Sequence, residues 1–146
     1  MKKLFRLKNR IKRNEGFRES CYRDSLGFLT IGYGHLIKKN ESYFLKNNYT
    51  KKKLNEVFEI DFEIALISYL KTYKKENHSK YTKELLIEMI FQLGIKGQRK
   101  FIKMNRHLNK KNFFMAALEM KSSLWYKQTP KRVNSLIKVL LKNKND

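Results

Sequence analysis

Asn14-Glu15-Gly16-Phe17-Arg18-Glu19-Ser20-Cys21-Tyr22-Arg23-Asp24-Ser25-Leu26-Gly27-Phe28-Leu29-Thr30-Ile31-Gly32-Tyr33-Gly34-His35 is the stretch on which the reading of this chain turns. It holds Gly16, Gly27, Gly32 and Gly34, four of the six glycines, in a chain with a single proline. The other two, Gly94 and Gly97, form a second group, so two short regions carry most of the non-helical backbone. Within the first, Asp24-Ser25-Leu26-Gly27 has turn chemistry and Phe28-Leu29-Thr30-Ile31 has strand chemistry. Gly32-Tyr33-Gly34 then bends the chain into His35-Leu36-Ile37. A small antiparallel sheet of two or three strands is the expectation.

On the N-terminal side, Leu4, Leu7 and Ile11 recur at helical spacing among lysines and arginines, giving a short amphipathic helix that ends near Asn14. It reads either as a lid on the core or as a membrane-surface helix. On the C-terminal side, residues 38–49 are polar and asparagine-rich, a loop with at most one helical turn. Thr50 has the chemistry of an N-cap, and Leu54, Val57, Phe58, Phe62, Ala65, Leu66, Tyr69 and Leu70 keep a helical period behind it. Residues 71–80 are a solvated break. Lys83–Leu93 is apolar nearly all round, the pattern of a core helix. Beyond the Gly94 and Gly97 interruption come short helices over Phe101–Leu108 and Phe113–Met120. A last helix has Thr129 as its cap and Pro130 at its first position. The fold class is therefore mostly helical α+β: one domain over 1–146, with a sheet lobe at 14–49, a connecting helix at 50–71, and a helical lobe of 1–13 plus 72–146.

At 146 residues and 41% hydrophobic, the chain has material for one buried core and is too apolar for a disordered polycation. Its formal charge of +21 attracts polyanions, with nucleic acid and an anionic bacterial envelope as the candidates. No recognition motif supports specific nucleic-acid binding. Cys21 is the only cysteine, which excludes an internal disulfide. No apolar run approaches a membrane span, and Met1–Arg13 lacks the apolar core of a signal peptide. His78 and His107 stand in lysine-rich contexts without ligand spacing, so neither a metal site nor a cofactor is expected.

Glu15, Asp24 and Thr30 are the candidate chemistry. Glycoside hydrolysis needs one carboxyl group to protonate the leaving oxygen and another to activate water or attack the sugar. Each residue also has a plainer reading. Glu15 alone is a solvated residue at a helix end, Asp24 the first residue of a turn capping its own backbone, and Thr30 a β-branched strand residue. A general acid at Glu15 needs a raised pKa: burial and Asp24 act to raise it, while its neighbours Arg13 and Arg18 act to lower it. The expected balance is a modest elevation. Trp125 and Tyr126 read as packing for the last helices, with sugar stacking as the alternative.

The ungapped pattern Glu15-Gly16-x-Arg18…Tyr22-x-Asp24-x-x-Gly27-x-x-Thr30-Ile31-Gly32-x-Gly34-His35-Leu36 resembles the phage-type lysozymes, or muramidases, of the T-even kind. Phe91-Gln92-x-Gly94-x-x-Gly97 and Trp125-Tyr126-x-Gln128-Thr129-Pro130-x-Arg132 agree as well. The likeness runs from about Leu4 to the end, with shortening around 38–49 and 72–80. The resemblance implies hydrolysis of the β-1,4 bond between N-acetylmuramic acid and N-acetylglucosamine in peptidoglycan, with inversion as the expected course. It implies Glu15 as general acid, and Asp24 and Thr30 as holders of the attacking water. Leu36, Phe91 and Gln92 match substrate-cleft positions. Arg132 matches an arginine that pairs with the catalytic glutamate, and Asp61 an aspartate that pairs with the histidine here at His35. That pairing would raise the histidine pKa and lower that of the aspartate.

The expected protein is a monomeric, endolysin-like enzyme of bacterial cell-wall lysis. It would be made in a host cytoplasm and reach the wall through a separate pore. The rival from another class is a cationic envelope-disrupting antibacterial protein that kills without cleaving glycan.

Overall fold

The computed structural model describes residues 2–143, with side chains from Leu4 onward. The chain is a mostly helical α+β protein, 67% helix with one three-stranded antiparallel sheet. It divides into two compact units, one ending at Ile64 and the other beginning at Ala65. The helix α2 (Lys51–Thr72) runs through the division. Thr50 caps it, its hydroxyl oxygen accepting the Lys53 N–H at 3.2 Å.

In the first unit, α1 (Lys2–Glu15) buries Leu7 and Ile11 completely, as its spacing requires. Lys8 and Lys12 project from its flank toward α2, Lys8 Nζ lying 2.5 Å from Glu59 and Lys12 bonding Asn55. The Lys12 ammonium also sits 4.8 Å above the Phe58 ring. Gly16 ends the helix: its φ is +72°, and its N–H bonds the Lys12 carbonyl at 3.0 Å. That left-handed step leaves Glu15 as the last helical residue.

The strands β1 (Arg18–Arg23), β2 (Leu29–Gly32) and β3 (His35–Leu36) lie in the order β1-β2-β3. Tyr22 is paired with Thr30, and Thr30 with Leu36, so the three side chains belong to one face of the sheet. Ile31, Phe44 and Leu54 form the core, with Phe17, Ile37, Tyr49 and Val57 against it. A β-carbon at Gly32 would stand 3.2 Å from Leu54 Cβ, so α2 packs directly on the turn between β2 and β3. Residues 38–49 are more ordered than their polar composition predicts. A 3-10 helix covers Lys39–Leu45, broken only at Glu41, because Phe44 is 2% exposed and anchors the segment in the core. One fully buried aromatic residue anchors a stretch in which most other residues are exposed.

In the second unit, α3 (Lys80–Arg99) opens on Ser79, whose hydroxyl oxygen accepts the Thr82 N–H, and it breaks at Gly94 with φ +72°. Leu85–Ile90 are buried without exception, which is the all-round apolar pattern seen in the sequence. The remaining helices are α4 (Ile102–Asn109), α5 (Phe113–Lys121), α6 (Leu124–Gln128) and α7 (Pro130–Leu140). Two details differ from expectation. α6 is a helix the sequence reading passed over; Ser123 caps it, accepting the Tyr126 N–H at 3.1 Å. Thr129 does not cap α7: its hydroxyl donates back to the Trp125 carbonyl at 3.2 Å, while Pro130 keeps the first helical position. Among the described residues, no helix is long and apolar enough to cross a membrane.

Candidate active site

Glu15 owes its position to two glycines. Gly16 stops the helix behind it, and Gly34, at φ +78°, leaves room for its carboxylate. A β-carbon built on Gly34 would lie 2.8 Å from Glu15 Cδ and overlap Oε2. The acid therefore rests on the backbone of the turn between β2 and β3, where a side chain would displace it.

Asp24 heads the hairpin between β1 and β2. Its Oδ1 accepts the N–H groups of Leu26 and Phe28, each at 2.9 Å, and its own N–H donates to the Phe28 carbonyl. The turn-capping reading of Asp24 thus describes one oxygen of the carboxylate. Oδ2 takes no part in these two bonds. Thr30 is 1% exposed, and its hydroxyl donates to the Phe28 carbonyl at 2.9 Å. With its proton committed, Oγ1 presents lone pairs to any water beside it.

Tyr22 lies within the electrostatic field of both carboxylates. Its phenol pKa is raised, first by burial, then by the charge of Glu15, with Asp24 adding to it and Arg18 opposing. One hydroxyl therefore feels both acids, and it stands opposite Thr30 in the sheet. Tyr22 was part of the matched pattern, but sequence reasoning gave it no role.

His35 is 8% exposed and carries a carboxylate on each ring nitrogen: Asp61 Oδ2 is 2.8 Å from Nδ1, and Glu41 Oε2 is 2.9 Å from Nε2. Burial acts to lower its pKa, yet the hydrogen bonds and charges of Asp61 and Glu41 prevail and raise it. A neutral imidazole has one N–H, so two acceptors at these distances call for the imidazolium. Glu41 also accepts the Lys38 N–H at 2.9 Å, and its own pKa is lowered: burial opposes, but the Lys38 N–H and His35 win. Glu41 was missed because it lies in the segment read as a loop. Its place six residues after His35 was the available signal. The two carboxylates lie on opposite edges of the ring, so the trio does not converge on a cation.

Leu36 is 51% exposed, on the sheet face that holds Thr30. Phe91 and Gln92 belong to the second unit and are half-buried. The Gln92 Oε1 accepts the Trp125 indole N–H at 3.1 Å. Trp125 is buried with its ring edge-on to Phe101, the packing arrangement rather than the stacking one. Arg132 is oriented by a carboxylate that the sequence reading did not weigh. Its Nη2 is 3.8 Å from Oε1 of Glu88, a fully buried residue of α3.

Comparison with known proteins adds family evidence to this geometry. The phage lysozyme family matches residues 12–140. The chain is 33% identical to the probable T4-type lysozyme 2 of Dictyostelium discoideum over 157 aligned positions, covering 91% of this chain and 92% of the relative. It is 32% identical to the probable T4-type lysozyme 1 of the same organism, with 92% of each covered. A 26% identity to the pre-baseplate central spike protein Gp5 of Enterobacteria phage T4 covers 90% of this chain and 27% of that protein.

Proposed function

The chain belongs to the phage lysozyme family, and from that membership we propose that it is a muramidase hydrolysing the β-1,4 bond between N-acetylmuramic acid and N-acetylglucosamine in peptidoglycan. Glu15 is the general acid. It closes α1, whose terminal carbonyls carry partial negative charge and so favour the protonated form. Its proton passes to the glycosidic oxygen as that bond breaks. A water held by Asp24 Oδ2 and Thr30 Oγ1 adds its oxygen to the anomeric carbon and gives its proton to Asp24. The product then has inverted configuration, a course that suits carboxyl groups roughly 6.5–9.5 Å apart. The observation that carries the reading is the place of the Glu15 carboxylate against Gly34, at the end of the small sheet whose first hairpin Asp24 heads.

Leu36, Phe91 and Gln92 are assigned to the glycan, through apolar contact and amide hydrogen bonds. Arg132, His35 and Asp61 are assigned electrostatic and structural support. The charge of +21 concentrates the protein on an anionic wall.

The deciding experiment compares the natural protein with Glu15→Gln on purified cell walls, following turbidity and reducing sugar ends. The natural protein releases reducing ends, and the variant releases none. Killing of cells by Glu15→Gln at the natural rate would instead favour the cationic envelope-disrupting reading. Mass spectrometry of the muropeptides separates hydrolysis from a lytic transglycosylase, which leaves an anhydro-sugar. The anomer first formed, read by NMR, tests inversion.

A further inference from the structure

We propose that Glu41 is a positioning residue for Glu15: with Asp61 it clamps His35 from both edges and so holds the Gly32–Gly34 turn on which the Glu15 carboxylate rests. The proposal depends on Glu15 being the general acid.

The chain of contacts is short. Glu15 lies against Gly34, where even a β-carbon would overlap it. Gly34 is bonded to His35, and His35 pairs with Ile31 across the turn. Gly32, at the other end of the turn, packs on Leu54 of α2. The turn is thus fixed at Gly32 by apolar packing and at Gly34 by whatever holds His35. What holds His35 is a pair of carboxylates from separate elements, Asp61 on α2 and Glu41 on the 3-10 helix. Glu41 is itself anchored by the Lys38 N–H, so it does not simply swing after the ring. Phe44 closes the remaining side, its ring 5.7 Å from the imidazole. Asp61 and Glu41 are the charged groups that act on His35 among the described residues.

Such a clamp works only while both ring nitrogens carry hydrogen. When His35 loses a proton, one carboxylate faces a lone pair at hydrogen-bond distance and the two repel. The ring then has to turn or move off that carboxylate, and Gly34 is its nearest covalent neighbour. The clamp is complete between the ordinary glutamate value of 4.5 and the ordinary histidine value of 6.5, and it is lost as pH rises through the raised histidine midpoint. Glu41 fixes the second ring nitrogen, because Asp61 alone satisfies only one.

The test uses three proteins: the natural chain, Glu41→Gln and Glu41→Asp. NMR titration follows the His35 ring, the Gly34 amide and the Glu15 side-chain carboxyl carbon. Wall hydrolysis is measured as kcat and KM over the same pH range. In the natural chain, Gly34 and Glu15 show an inflection at the His35 midpoint, and kcat falls above it with KM nearly constant. In Glu41→Gln, which keeps the shape and loses the charge, the His35 midpoint drops by about one pH unit. The Gly34 and Glu15 inflections and the alkaline limb of kcat drop with it, and Glu41→Asp restores part of the difference. Gly34 and Glu15 signals that ignore the His35 titration overturn the proposal, as does a kcat limb that stays in place while the His35 midpoint moves. Should Glu41→Gln fail to fold, coincidence of the inflections in the natural chain decides. A natural protein without hydrolytic activity refutes the muramidase reading, whereas the Gly34 and Glu15 inflections still judge the clamp.

Discussion

Replacing Gly34 by alanine tests the placement of the acid most directly. Two costs add. The residue has φ +78°, and a side chain in the left-handed region costs about 1–2 kcal/mol. The new β-carbon would also stand 2.8 Å from Glu15 Cδ, where ordinary contact begins at 3.4 Å. The carboxyl carbon must therefore retreat by 3.4 − 2.8 = 0.6 Å, and Oε2, closer still, by more. Relief through an off-rotamer side chain adds about 0.5–1.5 kcal/mol. The expected loss is about 1.5–3.5 kcal/mol, or roughly 3–14 °C in Tm for a chain of this size. An acid displaced by about 1 Å loses roughly 100-fold in rate. Gly94→Ala is the matched control, with φ +72° and nothing within 4 Å of the added carbon. It carries only the backbone cost of about 1–2 kcal/mol and keeps its kcat. Calorimetry and reducing-end release on cell walls give both quantities. If Gly34→Ala lost stability like Gly94→Ala but kept the natural kcat, the argument that this turn seats the acid would be wrong.

Asp24→Asn keeps an oxygen for the Leu26 and Phe28 N–H groups, so Tm should barely change, while activity falls by about 10²–10⁴-fold with loss of the base. An inactive variant that is also unfolded would point to the turn instead. Asp61→Asn should cost about 1.5–3 kcal/mol where the clamp is fully charged. Glu41, with its depressed pKa, contributes above its ordinary 4.5, and His35, with its raised one, below 6.5, so the loss is greatest between these values. A denaturation series in which the deficit grew above pH 8 would contradict that sign. Tyr69 has its pKa raised to about 12 by burial, then by Tyr73 and Glu76. Ultraviolet titration of the eight tyrosines should therefore leave at least one un-ionised at pH 11, and complete ionisation near pH 10 would refute it. Lysis of whole walls should slow severalfold as the Debye length shrinks from about 30 Å at 0.01 M salt to about 8 Å at 0.15 M. Uncharged soluble glycan should show little change, and a flat rate on walls would rule out electrostatic concentration.

Much of this molecule is local, and local features were legible in the chain. Glycine at 16 and 94 stops or breaks a helix because only glycine enters the left-handed region without strain, whatever lies around it. Thr50 and Asp24 bond backbone within four residues of themselves, so cap and turn follow from sequence. The helical burial of Leu7, Ile11, Leu85, Leu86, Met89 and Ile90 follows from their apolar pattern, whereas that of Glu88 does not. Tertiary structure decided the rest. That Gly34 seats a carboxylate depends on a helix end folding back onto a turn far along the chain. That Glu41 reaches His35 depends on Phe44 drawing a polar segment into the core, and that Glu88 faces Arg132 depends on how α3 and α7 pack. A residue type limits what a side chain can donate, accept or fill. Which partner it meets is set by packing between segments distant in sequence, since loop closure leaves many such pairings open until the core selects one.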